Sequence, residues 1–303
     1  MSDRDNLASR TLPFMTLSDG SEASMTGPPA PLPHYLSAEG RALARFAVEG
    51  NVVITGGAGT LGLSAARALL EHGASGLCLW DLESTLRSSQ TSILELARDF
   101  PKTRIFSIGV DVTDSEAITE AIGSVVKTLG SLDHIFCFAG IVGCHHATEM
   151  TADQWRKILD VNTTGSFFCA QAAAKQMQAQ KTNGSITLTA SISAHRVNYP
   201  QPQVGYNVSK GAVVALVKSL AAEWAVFGIR VNSISPGYMD TILNADAGGG
   251  NIAEARASWA SRNPMGRMGA VGELDGMCVL LASRAGSYIN GADMVIDGGA
   301  IVF

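Results

Sequence analysis

The 303-residue chain is 46% hydrophobic and only 16% charged, a composition that builds a core and excludes a disordered chain. Its net charge of −5, with no basic cluster, argues against nucleic acid and anionic membrane surfaces as partners. There is no apolar run near the ~20 residues of a membrane span and no signal-peptide pattern at the N-terminus MSDRDN; the five scattered cysteines without a C-x-x-C pair fit free thiols in a reducing cytoplasm and argue against zinc.

At this length one large α/β domain or two small ones can be accommodated. Residues 1–45 read as a largely irregular N-terminal arm, rich in Ser, Pro and Gly, mobile or ordered against a neighbouring subunit, with a short amphipathic lead-in from Glu39 to Phe46. Asn51-Val-Val-Ile-Thr55 is a buried strand. It runs into Gly56-Gly-Ala-Gly-Thr-Leu-Gly62 and then into a helical stretch stopped by Gly73. Strand, glycine loop and helix form the context in which a dinucleotide fingerprint works. Glycines let the backbone approach a pyrophosphate, and the helix N-terminus offers free N–H groups. The next strand, Gly76–Trp80, ends in Asp81, placed to bond the adenosine ribose hydroxyls; a helix-capping Asp is the ordinary alternative.

The alternation continues with a helix over about 83–99 and a strand Arg104–Val110, ending at Asp111 and Val112. Asp114 is placed to cap a helix running to about 129, and strand His134–Phe138 leads into Ala139-Gly140. His145-His146 stands on a loop without nearby carboxylates, so no metal site is expected there. A long helix over about 151–180 holds Asn162 in its interior, where asparagine is a poor former and hints at a task. The run Ser185–Ser191 is a strand with Ser191 at its carboxyl end, where open α/β sheets place ligands. A helix over about 203–227 and a strand Ile229–Ile234 follow, then Ser-Pro236-Gly237. Residues 238–270 read as a flexible lid with GGG at 248–250 and one short helix around 252–262; a helix over about 272–284 and strand Asp293–Ile296 close the chain. Seven strands alternating with helices predict a Rossmann-type, doubly wound parallel sheet covered on both faces, in one domain over 46–303.

Within the helix at 203–227, Tyr206 and Lys210 stand four residues apart, on one face. A free tyrosine titrates near ~10, and an ammonium one turn away favours the phenolate, so the pair is expected to bring the phenol toward working pH. A Y-x-x-x-K match alone is more often a solvated helix face; the serine-bearing strand and the glycine loop raise its weight.

Taken in order, the glycine loop TGGAGTLG, Asp81, Asp111, Asn162, Ser191, Tyr206-x-x-x-Lys210 and Pro236-Gly-x-x-x-Thr241 resemble the short-chain dehydrogenase/reductase family, from about residue 46 to the C-terminus. Within that family, TASISAHRVNYPQPQVGYNVSK and PMGRMG at 264–269 are most similar to fungal polyol and ketose enzymes such as mannitol 2-dehydrogenase, sorbose reductase and arabinitol dehydrogenase. The resemblance implies reversible hydride transfer between a nicotinamide and a secondary alcohol or ketone, with a tetrad of Asn162, Ser191, Tyr206 and Lys210. Tyr206 would exchange the proton and Ser191 would hold the carbonyl oxygen. Lys210 would bind the nicotinamide ribose and lower the phenol's pKa, and Asn162 would hold a water. Gly56, Gly59, Thr60, Leu61, Gly62, Asp81, Asp111, Val112, Ala139 and Gly140 would line the cofactor, as would Pro236 and Gly237. Thr241 and the Met239 backbone would fix the carboxamide. Asp81 favours NAD(H) over NADP(H) by repelling a 2′-phosphate. Family analogy also implies a homo-oligomer, tetramer or dimer, joined through the last helix and strand.

Two departures stand out. The sixth loop position, glycine in the single-domain branch, is Thr60, giving T-G-x-x-G-x-x-G as in the larger epimerase and dehydratase branch. The usual Asn-Asn-Ala-Gly is Cys137-Phe-Ala-Gly140. A cofactor-retaining epimerase or dehydratase is therefore an alternative, as is a non-catalytic dinucleotide-binding scaffold. For substrate, His195, Asn198, Tyr199, Gln201 and Gln203 offer a polar mouth suited to a polyol–ketose pair. Met239, Ile242, Leu243, Trp259, Met265 and Met268 offer an apolar lid suited to a larger cyclic ketone of specialised metabolism, although at helical spacing such residues are more often lid core.

Overall fold

The structure, a computed structural model, describes residues 13–21, 24–241 and 252–302. Seven short apolar runs become strands: β1 Asn51–Thr55, β2 Gly76–Asp81, β3 Arg104–Gly109, β4 His134–Cys137, β5 Gly184–Thr189, β6 Ile229–Pro236 and β7 Asp293–Ile296. All pair in parallel, in the order β3-β2-β1-β4-β5-β6-β7. Every residue of β1 and β4 is buried, because helices cover both faces and leave no polar side to alternate with. The chain steps outward from β1 to β3 and then crosses back to β4. The β1/β4 boundary is the reversal point beyond whose carboxyl ends such sheets open a crevice.

Alternate residues of each strand serve opposite faces. Val52, Ile54, Leu77, Leu79 and Phe136 pack with Leu69 of helix α2 (Thr60–Glu71) and with Cys278 and Leu281 near the C-terminus. Val53, Cys78, Ile135, Ile186 and Leu188 pack on the other face against Ile118, Ala173 and Val213.

Of the remaining helices, α1 (Ala38–Phe46) starts where the Ser37 hydroxyl accepts from Gly40 N at 2.9 Å. The single helix expected over 83–99 is two, α3 (Glu83–Ser88) and α4 (Gln90–Asp99). They break at Ser89, just after the Ser88 hydroxyl bonds back to Thr85 O at 2.9 Å; serines compete in this way with the helix ladder. Helix α5 (Ser115–Leu129) starts as expected at Asp114, whose Oδ1 accepts from Glu116 N and Ala117 N at 3.0 Å each. It ends on Gly130 in the left-handed region. The stretch expected as one long helix is α6 (Ala152–Leu159), a π-helical segment Asp160–Gly165, and α7 (Ser166–Gln180). Helix α8 (Val204–Trp224) carries Tyr206 and Lys210, α9 is Ile252–Ser261 and α10 is Asp275–Ala282. In the arm the Arg284 guanidinium donates to Ala30 O, so this part of it lies against the chain's own C-terminal region.

Candidate active site

Beyond the carboxyl ends of β1 to β4 lies a cleft of about 1720 Å³. The glycine loop forms one wall because nothing larger fits. Gly56 sits at φ +64°, and a Cβ there would meet Ala139 N at 2.7 Å. A Cβ on Gly62 would stand 2.4 Å from Gly56 O. Gly59 begins α2 with no side-chain cap, so the first-turn N–H groups remain available to an anion. Thr60, where the single-domain pattern has glycine, is the exposed first residue of that helix, a position that tolerates a side chain. Leu61, Asp111, Val112, Ala139, Gly140 and Thr241 complete the expected lining. Asp81 stands at the tip of β2. Its carboxylate accepts from Ala58 N at 3.1 Å and Leu82 N at 2.9 Å, which ties it to the glycine loop. Two nearby guanidiniums are already engaged: Arg67 with Asp99 at 2.8 Å and Arg87 with Glu83 at 3.9 Å. A close-backbone cradle, an uncapped helix start and a carboxylate at the strand tip suit a dinucleotide.

The cleft continues into a smaller cavity of about 100 Å³ that shares Leu61, Phe138, Gly140 and Thr241 with it. Ser191, Tyr206 and Lys210 meet there, with Pro236, Gly237 and Met239 behind them. Ser191 lies two residues past the end of β5 rather than on it. Its hydroxyl accepts from Ser193 N at 3.1 Å as the cap of a short 3-10 turn. Lys210 is buried and donates to Thr189 O at 2.6 Å, with its ammonium 5.7 Å from the Tyr206 ring centre.

Burial runs against the expected lowering of the phenol's pKa by Lys210. Burial pushes Tyr206 up to about 12, against an opposing hydrogen bond from Ser191. Burial also brings Lys210 down to about 8, which still leaves it mostly charged at neutral pH. Desolvation is the larger effect for both groups.

Asn162 does not sit in a regular helix but in the π-helical segment, a feature that recurs at functional sites. Both amide hydrogens are used, one to Ile141 O at 2.9 Å and one to Ser209 Oγ at 3.0 Å, while Oδ1 accepts from Ile141 N at 2.8 Å. A Cβ on Gly140 would come within 3.2 Å of that oxygen and 3.6 Å of Lys210 Nζ. The Asn162 side chain is thus a brace between the β4 loop and α8. The water-holding role expected of it cannot fall to its amide hydrogens.

The polar mouth divides. Asn198, Gln201 and Gln203 line the inner cavity. His195 turns away to Asp293 at 2.7 Å, and Tyr199 is exposed beneath Arg262. Among the lid residues, Trp259 packs with Ala255, Val142, Tyr238 and Met268 as lid core, and Met265 is exposed. Ile242, Leu243 and the glycines 248–250 lie outside the described residues. Phe138 and Tyr238 are among the cavity residues to which the sequence reading gave no role. Phe138, stacked on Phe136 at 6.2 Å, lines both cavity and cleft in place of the usual asparagine. Tyr238 stacks on Trp259 at 4.4 Å and takes a hydrogen bond from Asn198 Nδ2 at 2.8 Å. Only the flanking Pro236-Gly237 could have drawn attention to Tyr238.

These features define a dinucleotide-binding α/β protein with a Ser-Tyr-Lys group at the inner end of its crevice. A family profile described as Enoyl-(Acyl carrier protein) reductase matches residues 56–300. The NADP-dependent mannitol dehydrogenase of Hypocrea jecorina is 36% identical over 88% of this chain and 98% of its own. The sorbose reductase sou1 of Schizosaccharomyces pombe is 36% identical over 84% and 97%. Among solved structures, NADPH-dependent 3-quinuclidinone reductase from Rhodotorula rubra superposes with a TM-score of 0.79 at 33% identity, covering 91% of this chain and 100% of that one. The chain belongs to the short-chain dehydrogenase/reductase family. It is a nicotinamide-dependent oxidoreductase acting on CH–OH groups.

Proposed function

We propose that the protein interconverts a polyol and its ketose with NAD(H). The observation that carries this reading is the inner cavity, where Ser191, Tyr206 and Lys210 face Asn198, Gln201 and Gln203 across about 100 Å³. Asn198 Oδ1 and Gln201 Nε2 are buried there without a partner. Buried polar atoms of this kind suit a ligand rich in hydroxyls, because an apolar one would leave them unpaired. The apolar-lid reading loses weight because Trp259 and Met268 are engaged with each other's neighbours in the lid core.

When bound, the nicotinamide supplies or accepts the hydride. The chain's residues do the rest. Held up near 12 by burial, the Tyr206 phenol is protonated at neutral pH and ready to donate to a carbonyl oxygen. Ser191 orients that oxygen and stabilises the negative charge developing on it. Lys210, fixed by Thr189 O, stands beside the phenol and toward the cofactor side. Asn162 keeps the Ile141 backbone and α8 in register, so that the cavity holds its shape.

The Hypocrea jecorina dehydrogenase is named NADP-dependent and the Rhodotorula rubra reductase NADPH-dependent, which favours NADP(H). At 36% identity a single carboxylate can differ, and Asp81 at the tip of β2 would face and repel a 2′-phosphate, so NAD(H) is the cofactor expected here and NADP(H) the alternative. Exposed Tyr288 and Val302, on either side of β7, support a homo-oligomer, dimer or tetramer, closed through the last helix and strand. No helix among the described residues is long and apolar enough to cross a membrane, and four of the five free cysteines are buried, which suits a reducing cytoplasm.

The test is a competition of five- and six-carbon ketoses and polyols against bulky cyclic ketones. Turnover of the sugars is expected. No sugar turnover at tens of millimolar, beside reduction of a bulky ketone at micromolar concentration, would reverse the reading.

A further inference from the structure

One contact joins the lid to the substrate end. The Trp259 indole Nε1 bonds Gln201 Oε1 at 3.2 Å, with both residues buried. An indole N–H can only donate, so the oxygen of the Gln201 amide is fixed toward Trp259 and its NH2 group is turned away. That nitrogen has no hydrogen-bond partner, and Gln201 is 7% exposed.

The indole itself is not free to turn. Tyr238 stacks on it at 4.4 Å with the rings 6° from parallel. Helix α9 is pinned on one side of Trp259 by Arg256 on Asp240 at 2.7 Å and on the other by Arg262 over the Tyr199 ring at 4.3 Å. The far edge of Tyr238 engages the second orphan. Its hydroxyl takes a hydrogen from Asn198 Nδ2, leaving Asn198 Oδ1 buried and bare. Both residues line the inner cavity, and each carries one amide atom, a donor on Gln201 and an acceptor on Asn198, that the protein leaves unpaired. A hydroxyl group both donates and accepts, and satisfies the two together.

We propose that Trp259 is a positioning residue. It orients Gln201 as a hydrogen-bond donor which, with Asn198 as acceptor, reads one substrate hydroxyl remote from the reacting carbon. This rests on the polyol–ketose reading. It adds that discrimination for that hydroxyl is set from the lid, through an indole that need not touch the substrate. A ligand lacking the hydroxyl leaves both amide atoms unpaired, which is how such sites reject deoxygenated analogues.

The experiment compares wild type with Trp259→Phe, Gln201→Met and Gln201→Glu. It measures kcat and KM for a ketose that the enzyme reduces and for each of its single-deoxy counterparts. Wild type should prefer the parent ketose over one particular deoxy isomer by at least ~10-fold, the scale of one unpaired buried group. Trp259→Phe keeps an aromatic ring on Tyr238 and loses the N–H together with the rest of the fused ring. It should shrink that one ratio, by raising KM for the parent with little change in kcat, and leave the ratios for the other deoxy isomers alone. Gln201→Met should abolish the preference. Gln201→Glu should do the same, since its second oxygen presents an acceptor where the donor stood. A merely structural role for Trp259 would depress all substrates alike. If Trp259→Phe fails to fold, Gln201→Met alone decides. Wild-type ratios retained in Gln201→Met, in an enzyme that turns over ketoses, would overturn the proposal and leave the polyol reading standing. An enzyme that reduces no ketose would instead remove the reading and the proposal together.

Discussion

Around β1 and β2 the crevice is shaped by backbone. Gly56 and Gly62 admit no Cβ, the start of α2 offers bare N–H groups, and Asp81 is held by two main-chain amides. Beyond β5 it is shaped by side chains drawn from four separate segments. Ser191, Gln201, Tyr206 and Tyr238 reach one small cavity, and Trp259 stands behind them. A backbone cradle binds what every dinucleotide shares, its phosphates, and it fails all at once when a side chain intrudes. A wall of amides and rings can be altered group by group, which is what a specificity surface requires.

The contrast can be broken most severely at Gly62. In Gly62→Val the new Cβ would have to displace the Gly56 carbonyl from 2.4 Å. Overpacking of about 1–3 kcal/mol placed on the phosphate cradle should weaken nucleotide binding by about a hundredfold. Fluorescence titration reads this, and an unchanged Kd would mean that the cofactor lies elsewhere. The substrate end should show its character in a pH experiment. Burial lowers Lys210 from 10.5 to about 8, so between those values the unfolded chain holds a proton that the folded chain has lost. Stability contributed by this group therefore rises with pH from about 8 to about 10.5 and is absent below that window. The span is on the order of 3 kcal/mol. Urea midpoints across that range should climb in wild type relative to Lys210→Met, and parallel curves would show that the lysine is not desolvated. The smallest effect is expected at Asp81. Wild type should favour NADH by at least ~10-fold in kcat/KM, and Asp81→Asn, which removes the charge but keeps an oxygen, should cut that preference severalfold toward parity. A tenfold preference for NADPH in wild type would show that the carboxylate does not face the ribose.

The same contrast explains what could be read from the chain alone. The seven strands, the glycine loop, Asp81 and the Tyr206-Lys210 pair were legible because each is a local pattern: a run, a turn or one face of one helix. The break at Ser89 and the π-helical segment around Asn162 were not, since a periodic pattern reports neither the Ser88 back-bond nor the bonds of Asn162 to Ile141 and Ser209. For the phenol's pKa, spacing reports the neighbouring charge but not the depth of burial, which is the largest effect on both groups. The polar mouth was seen as one set. Its division into Asn198, Gln201 and Gln203 inside and His195 and Tyr199 outside rests on Asp293 and Arg262, 98 and 63 residues further along the chain.

The central claim is that chemistry resides in the inner cavity and nucleotide affinity in the outer cleft. Tyr206→Phe tests it when turnover and cofactor Kd are measured on the same sample. The expected result is a fall in kcat of at least ~10²-fold with a Kd that stays within about twofold, because the phosphates and adenosine are held by the glycine loop and Asp81. A near-normal kcat, or a collapse of cofactor binding equal to the loss of turnover, would contradict the separation.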